Sequence, residues 1–174
     1  TLDPTFQISV GASGSAFSSI DDVYSLTLQP NGKILASGSF RYSINSVVKD
    51  HVVRLNQDGT IDPLFNLGVY VMDYFSSSSL GRDRMVVDSS NRILVGTSAG
   101  TSSETDRVPL RLNQDGSRDI SFMSSVFASN TVAAIFDIQL QSDGKILISG
   151  RRDGSGQAYG FLMRLNADAS IDGT

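Results

Sequence analysis

The tripeptide Arg-Leu-Asn occurs three times, at Arg54-Leu55-Asn56, Arg111-Leu112-Asn113 and Arg164-Leu165-Asn166, with starts 57 and then 53 residues apart. An Asp stands two residues after each, in Asp58-Gly59, Asp115-Gly116 and Asp168-Ala169. Self-similarity at a near-constant period marks a chain made of one supersecondary unit that buries its apolar face only by stacking on its neighbours. Whatever one copy folds into, the other two must fold into as well.

A second shared block precedes each tripeptide: Leu28-Gln29-Pro30-Asn31-Gly32-Lys33-Ile34-Leu35, Val87-Asp88-Ser89-Ser90-Asn91-Arg92-Ile93-Leu94 and Leu140-Gln141-Ser142-Asp143-Gly144-Lys145-Ile146-Leu147. An apolar strand, a polar turn and a second apolar strand make a β-hairpin, and Asn-Gly or Asp-Gly at the turn predicts two central residues of positive φ. Downstream, Thr60-Ile61-Asp62-Pro63-Leu64-Phe65 matches Ser117-Arg118-Asp119-Ile120-Ser121-Phe122 and predicts a further short strand. One copy thus reads as four strands, 23–28, 33–38, 51–55 and 60–65. That is the content of one propeller blade. The segments Ile34-Leu35-Ala36, Ile93-Leu94-Val95 and Ile146-Leu147-Ile148 are apolar on both faces, as a sheet stacked between sheets requires. The fold class predicted is all-β: three tandem four-stranded antiparallel propeller-type blades, part of a propeller or repeat array.

Composition agrees. Glu104 is the only Glu and Lys stands only at 33, 49 and 145, so helix-favouring charged residues are scarce, while Ser, Gly, Asp and Asn are abundant. A net charge of -4 without a basic cluster argues against a nucleic-acid surface, because phosphate binding needs a stripe of Lys and Arg. No apolar run is long enough for a membrane helix, so membrane insertion is not expected. With no Cys there is neither a disulfide framework nor a thiolate metal site.

The repeated blocks resemble the delta-60 repeat family, whose pattern runs apolar strand, Gln-Pro-Asp-Gly-Lys, apolar strand with a closing Gly, then Arg-Leu-Asn-x-Asp-Gly-x-Leu-Asp-x-x-Phe. Residues 28–38 with 54–65 follow it almost throughout, and 140–150 with 164–172 nearly so. The middle copy departs, with Ser90-Asn91-Arg92 for Asp-Gly-Lys and Arg118 at an apolar position. The resemblance implies a β-propeller-like array of large bacterial surface-type and phage-associated proteins, with no assigned chemistry. It places the chain outside the cell, on a cell surface or in a virion.

The blades are expected at about 20–66, 67–123 and 130–174 in a single β-repeat domain. Thr1-Leu2-Asp3-Pro4-Thr5-Phe6 matches 60–65 and is expected to be the fourth strand of a preceding blade or a closing strand. The opening at Thr1, without a leader, reads as a processed chain or a segment of a longer one. Three blades are fewer than the roughly four to eight of closed propellers. Closure is expected from a homo-oligomer, two chains giving six blades, or from flanking repeats.

Candidate chemistry is sparse. Asn56-Gln57-Asp58-Gly59-Thr60-Ile61-Asp62 resembles the front of a calcium loop, but in that register the first and last ligands fall on Arg54 and Phe65. A turn closed by its own Asn and Asp side chains explains the segment without metal, so no cofactor is expected. Arg54, Arg111 and Arg164 are each followed at a fixed interval by Asp62, Asp119 and Asp172, which predicts one internal Arg-Asp pair per blade rather than a groove for anionic sugars. His51, the only histidine, abuts a repeated strand rather than a nucleophile elbow, and no carboxylates are paired by sequence, so an enzyme is not expected.

Binding is expected on the stretches that do not repeat, 40–49, 70–84, 99–107 and 151–159, read as loops on a rigid scaffold. Tyr42, Tyr70, Tyr74, Arg82, Arg84, Arg151, Arg152 and Tyr159 are the side chains there that favour partner contact. The sequence thus predicts a non-catalytic binding or adhesion module that engages a partner protein or surface glycan. A purely structural component of a ring, fibre or shell is the alternative, and a glycan-active enzyme the second.

Overall fold

The apolar runs flanking each polar turn pair as antiparallel hairpins, and a third strand joins each hairpin. In a computed structural model, residues 3–6, 22–44, 47–67, 84–96, 109–122, 132–154 and 157–173 are described. The strands are β1 (Asp22–Leu28), β2 (Ile34–Ile44), β3 (Val47–Leu55), β4 (Arg84–Val87), β5 (Ile93–Gly96), β6 (Leu110–Leu112), β7 (Val132–Leu140), β8 (Ile146–Gly154) and β9 (Gln157–Leu165). They form three sheets of three strands, ordered β1-β2-β3, β4-β5-β6 and β7-β8-β9. The register repeats: Leu28 faces Ile34 and Ile34 faces Leu55, as Val87 faces Ile93 and Ile93 faces Leu112, and as Leu140 faces Ile146 and Ile146 faces Leu165.

The first turn of each copy differs from the sequence expectation. Gln29 N–H donates to Lys33 O at 2.8 Å and Gly32 N–H to Gln29 O at 2.9 Å, and only Gly32 takes positive φ, at 79°. A type I turn followed by one left-handed residue produces that pattern, and it needs Gly or Asn at a single position. Gly144, at 83°, and Asn91, at 58°, occupy the same place. Asn91 is why the middle copy keeps its hairpin without the Gly: a short amide side chain tolerates the left-handed region.

The expected fourth strand is absent: each blade has three strands among the described residues. The segment after the Asn-x-Asp turn pairs with its own sheet through an isolated backbone bridge, Leu55 with Ile61, Leu112 with Arg118 and Leu165 with Ile171. The cause lies one residue further on. Asp62 Oδ1 accepts from Leu64 N–H at 3.0 Å and Asp62 O from Phe65 N–H at 3.3 Å, so the chain curls into a turn instead of extending a ladder. Pro63, with no N–H to give, suits the same departure. Residues 3–6, also expected to be strand, form the same turn: Thr5 N–H donates to Asp3 Oδ1 at 2.9 Å and Phe6 N–H to Asp3 O at 3.4 Å.

Alternation along the strands gives every sheet two faces, and the sheets stack through them. The face of the first sheet that carries Leu35 and Val52 shares one buried cluster with Met85, Ile93, Val95, Leu110 and Leu112 of the second. Leu94, on the opposite face of the second sheet, belongs to that cluster with Ile135, Ile138, Ile146, Ile148 and Leu165 of the third. All of 93–96 is buried, as a strand lying between two sheets must be. Gly96 sits so close to the third sheet that a Cβ there would lie 2.6 Å from Ile135 Cγ2.

Candidate functional site

Antiparallel pairing sends the turns at 29–33 and 56–60 to one end of the first sheet and the β2–β3 connection to the other. The same holds in the third sheet. The repeated charged residues gather at the first end, the non-repeated ones at the second.

At the turn end, Asp62 Oδ2 accepts from Arg54 Nε at 2.7 Å and from Lys33 Nζ at 2.6 Å. In the third blade Asp172 Oδ2 takes Arg164 Nε and, at 2.9 Å, Lys145 Nζ. Arg111 Nε donates to Asp119 Oδ2 at 2.8 Å in the middle blade, but there the second cation is elsewhere: Arg92 Nε bonds Asp88 Oδ2 at 2.7 Å. Asp88 stands where the other copies have Gln29 and Gln141, so a carboxylate on the turn itself captures the neighbouring cation. The lysines of these clusters were missed in the sequence reading. Their recurrence directly after Gly32 and Gly144 was the available signal.

Each arginine also reaches out of its own blade. Arg54 Nη1 donates to Gln114 O in the second blade, and Arg111 Nη1 to Ala167 O in the third at 2.9 Å. The guanidinium carbons lie 4.6 Å over the Phe65 ring and 4.5 Å over that of Phe122. Phe65 in turn lies against the next turn, where a Cβ on Gly116 would come within 2.9 Å of its ring, and Asn66 N–H donates to Asp115 O at 2.8 Å. One arginine therefore ties its own Asp, its own Phe and the next blade's turn together. Guanidinium geometry allows this because its donors point in several fixed directions.

Burial pushes the Asp62 carboxyl up, but the Lys33 ammonium, the Leu64 N–H and the Arg54 guanidinium outweigh it and hold the group below the usual carboxylate value. Asp119 is likewise raised by burial and lowered further by the Ser121 hydroxyl, Arg111 and the Ser121 N–H. The oxygens that suggested a calcium loop are occupied with the turn itself. Thr60 Oγ1 donates to Asp58 Oδ1 at 2.7 Å, Thr60 N–H to the same oxygen at 3.0 Å, and Asn56 Nδ2 to Thr60 Oγ1 at 2.9 Å. Ser117 with Asp115 and Ser170 with Asp168 repeat the arrangement. The hydroxyl and amide of these residues lower Asp58, Asp115 and Asp168.

At the opposite end the residues singled out for binding prove to stand on strands, where loops were expected. Ranges 40–49 and 151–159 are largely the outer parts of two long hairpins: Tyr42 pairs with Lys49, Arg151 with Gly160 and Arg152 with Tyr159. The long β-ladders override the lack of sequence repetition that suggested loops. Arg151, Arg152 and Tyr159 are exposed, and Tyr159 Oη donates to Gln157 Oε1 at 2.9 Å. Arg84, exposed, opens β4 at this same end, opposite Gly96. Tyr70, Tyr74, Arg82 and the range 99–107 lie outside the described residues.

Stacked three-stranded antiparallel sheets, repeated in sequence and tied blade to blade by the same arginine, define a propeller-type repeat protein. The family model described as "Domain of unknown function (DUF5122) beta-propeller" matches residues 29–65, 89–122 and 141–174, and the chain belongs to this family. No curated protein and no solved structure matches the chain.

Proposed function

We propose that the chain is a non-catalytic recognition module built of delta-60-type repeats, part of an extracellular, surface or virion protein, that binds a partner protein or surface glycan through the hairpin end of its blades. One observation carries the reading: Arg151, Arg152 and Tyr159 stand exposed on the β8–β9 hairpin, at the end opposite the repeated charge clusters. Arg152 and Tyr159 are cross-strand partners, so a guanidinium and a phenol share one face of the hairpin. Rigid strands hold such side chains at low entropic cost, and aromatic and Arg residues dominate binding surfaces. An exposed guanidinium beside a phenol favours anionic glycans or acidic protein patches.

A glycan array together with a pull-down from surface extracts tests this. The wild-type chain is expected to retain a ligand that the double variant R152A/Y159A loses by at least about tenfold. Equal retention by the two, with unchanged circular dichroism, would remove the assignment.

A further inference from the structure

We propose that the outer face of the third sheet docks on the outer face of the first sheet in a second copy of this chain, continuing between chains the interface that joins blades within it. The support is a comparison of equivalent positions. Val52 and Leu162 each pair with the serine of their sheet's middle strand, Ser37 and Ser149, on the face that looks toward the next blade. Val52 is 0% exposed under the second sheet, whereas Leu162 is 77% exposed. On the other face, Leu26, Met85 and Ile138 are equivalent by their pairing with Ala36, Val95 and Ile148. Met85 and Ile138 are 4% and 0% exposed beneath the preceding blade, but Leu26 is 67% exposed, and Leu28 beside it is exposed too.

The polar part of the interface continues in the same way. Arg54 and Arg111 reach the carbonyls of Gln114 and Ala167 in the next blade, and the position equivalent to those two in the first blade is Gln57. Arg164 holds Asp172 as Arg54 holds Asp62, yet its side chain is 35% exposed against 5% for Arg54. In a second copy docked by the intrachain rule, Arg164 Nη1 donates to the Gln57 carbonyl and Leu162 covers Leu26 and Leu28. The chain therefore bears both halves of one interface, one at each end, and such a head-to-tail contact is satisfied by an identical partner. Two chains supply six sheets, within the roughly four to eight that close a ring.

Analytical ultracentrifugation of the 174-residue chain and of two exposed-site variants, L26D and L162D, decides the matter. The wild type is expected to reach twice the mass of one chain at micromolar concentration, and each variant alone to weaken association at least about a hundredfold. Mixing the variants is expected to restore a two-chain species, because an intact Leu162 face meets an intact Leu26 face. A monomeric wild type overturns the proposal. So does a variant that self-associates as strongly as the wild type, which would mean face pairing of like with like, or a mixture that stays monomeric while both variants keep the wild-type circular dichroism. Ligand retention in the glycan test is expected to be unchanged in L162D, so the two proposals fail separately.

Discussion

Gly116 and Gly144 both hold positive φ, at 89° and 83°, but they carry different loads. A Cβ at Gly144 would meet nothing within 4 Å, so alanine there costs only the left-handed conformation, about 1 kcal/mol. A Cβ at Gly116 would come within 2.9 Å of the Phe65 ring and 3.1 Å of the Asn66 backbone carbon. Backbone cannot yield as a flexible side chain does, so G116A is expected to cost roughly 2–4 kcal/mol, the conformational term plus overpacking. Urea denaturation of both variants measures the difference. Equal losses would show that the contact between the first blade's Phe and the second blade's turn contributes nothing. Ala169 takes the equivalent position at φ 74°, which shows that the turn itself accepts a Cβ and that the neighbour decides the cost.

At the scale of the element, the hook after each Asn-x-Asp turn is where the sequence was legible in parts. The fixed interval from Arg54 to Asp62, from Arg111 to Asp119 and from Arg164 to Asp172 announced the ion pairs, because a tight turn between two residues eight apart brings them side by side. Strand periodicity gave the two hairpin strands and the third. It failed for 60–65, since Ile61 and Phe65 are spaced as alternate strand residues but an Asp carboxylate bonding Leu64 N–H bends the chain between them. Nor did it find the strand character of 151–159, where the ladder from Gly150 with Phe161 to Gly154 with Gln157 is set by pairing rather than by an alternating pattern. The capture of Arg92 by Asp88 was legible only in hindsight, as a joint change at two turn positions of the middle copy. The arginines also give a graded prediction. Replacing Arg54 by Met leaves Asp62 buried beside Lys33 alone and breaks the tie to Gln114, at an expected cost of roughly 3 kcal/mol. R111M is expected to cost about the same, whereas R164M, which leaves an equally buried Asp172 beside Lys145 but whose guanidinium is half-exposed, should cost less in the monomer, roughly 1–2 kcal/mol. Thermal or chemical melts of the three variants read the order, and a uniform loss would mean that the tie between blades adds nothing to the ion pair.

For the whole molecule, the repeat makes stability a sum over similar blades and the contacts between neighbours, with a charge cluster in every blade and an arginine tie at each of the two junctions. Asp62 and Asp119 are held below the usual carboxylate value in the folded chain, whereas unfolding returns them to about 3.9. The folded state therefore binds fewer protons than the unfolded one as the pH approaches that value, and stability must fall on acidification. The stabilisation is complete above the unfolded value, so it is expected to be flat from about pH 5 upward and to drop as the pH passes below 4 through the folded values. A D62N variant separates this from a general charge effect. At neutral pH it leaves Arg54 and Lys33 without their carboxylate and is expected to lose roughly 2–4 kcal/mol. As the pH falls through the lowered folded value of Asp62 the wild-type carboxyl is itself neutralised, so the gap between the two proteins is expected to narrow. Urea midpoints of both proteins from pH 2 to 7 provide the measurement. A gap that stays constant across that range would show that the carboxylate's charge does not hold the junction, and that the side chain acts there only by its shape and its hydrogen bond to Leu64 N–H.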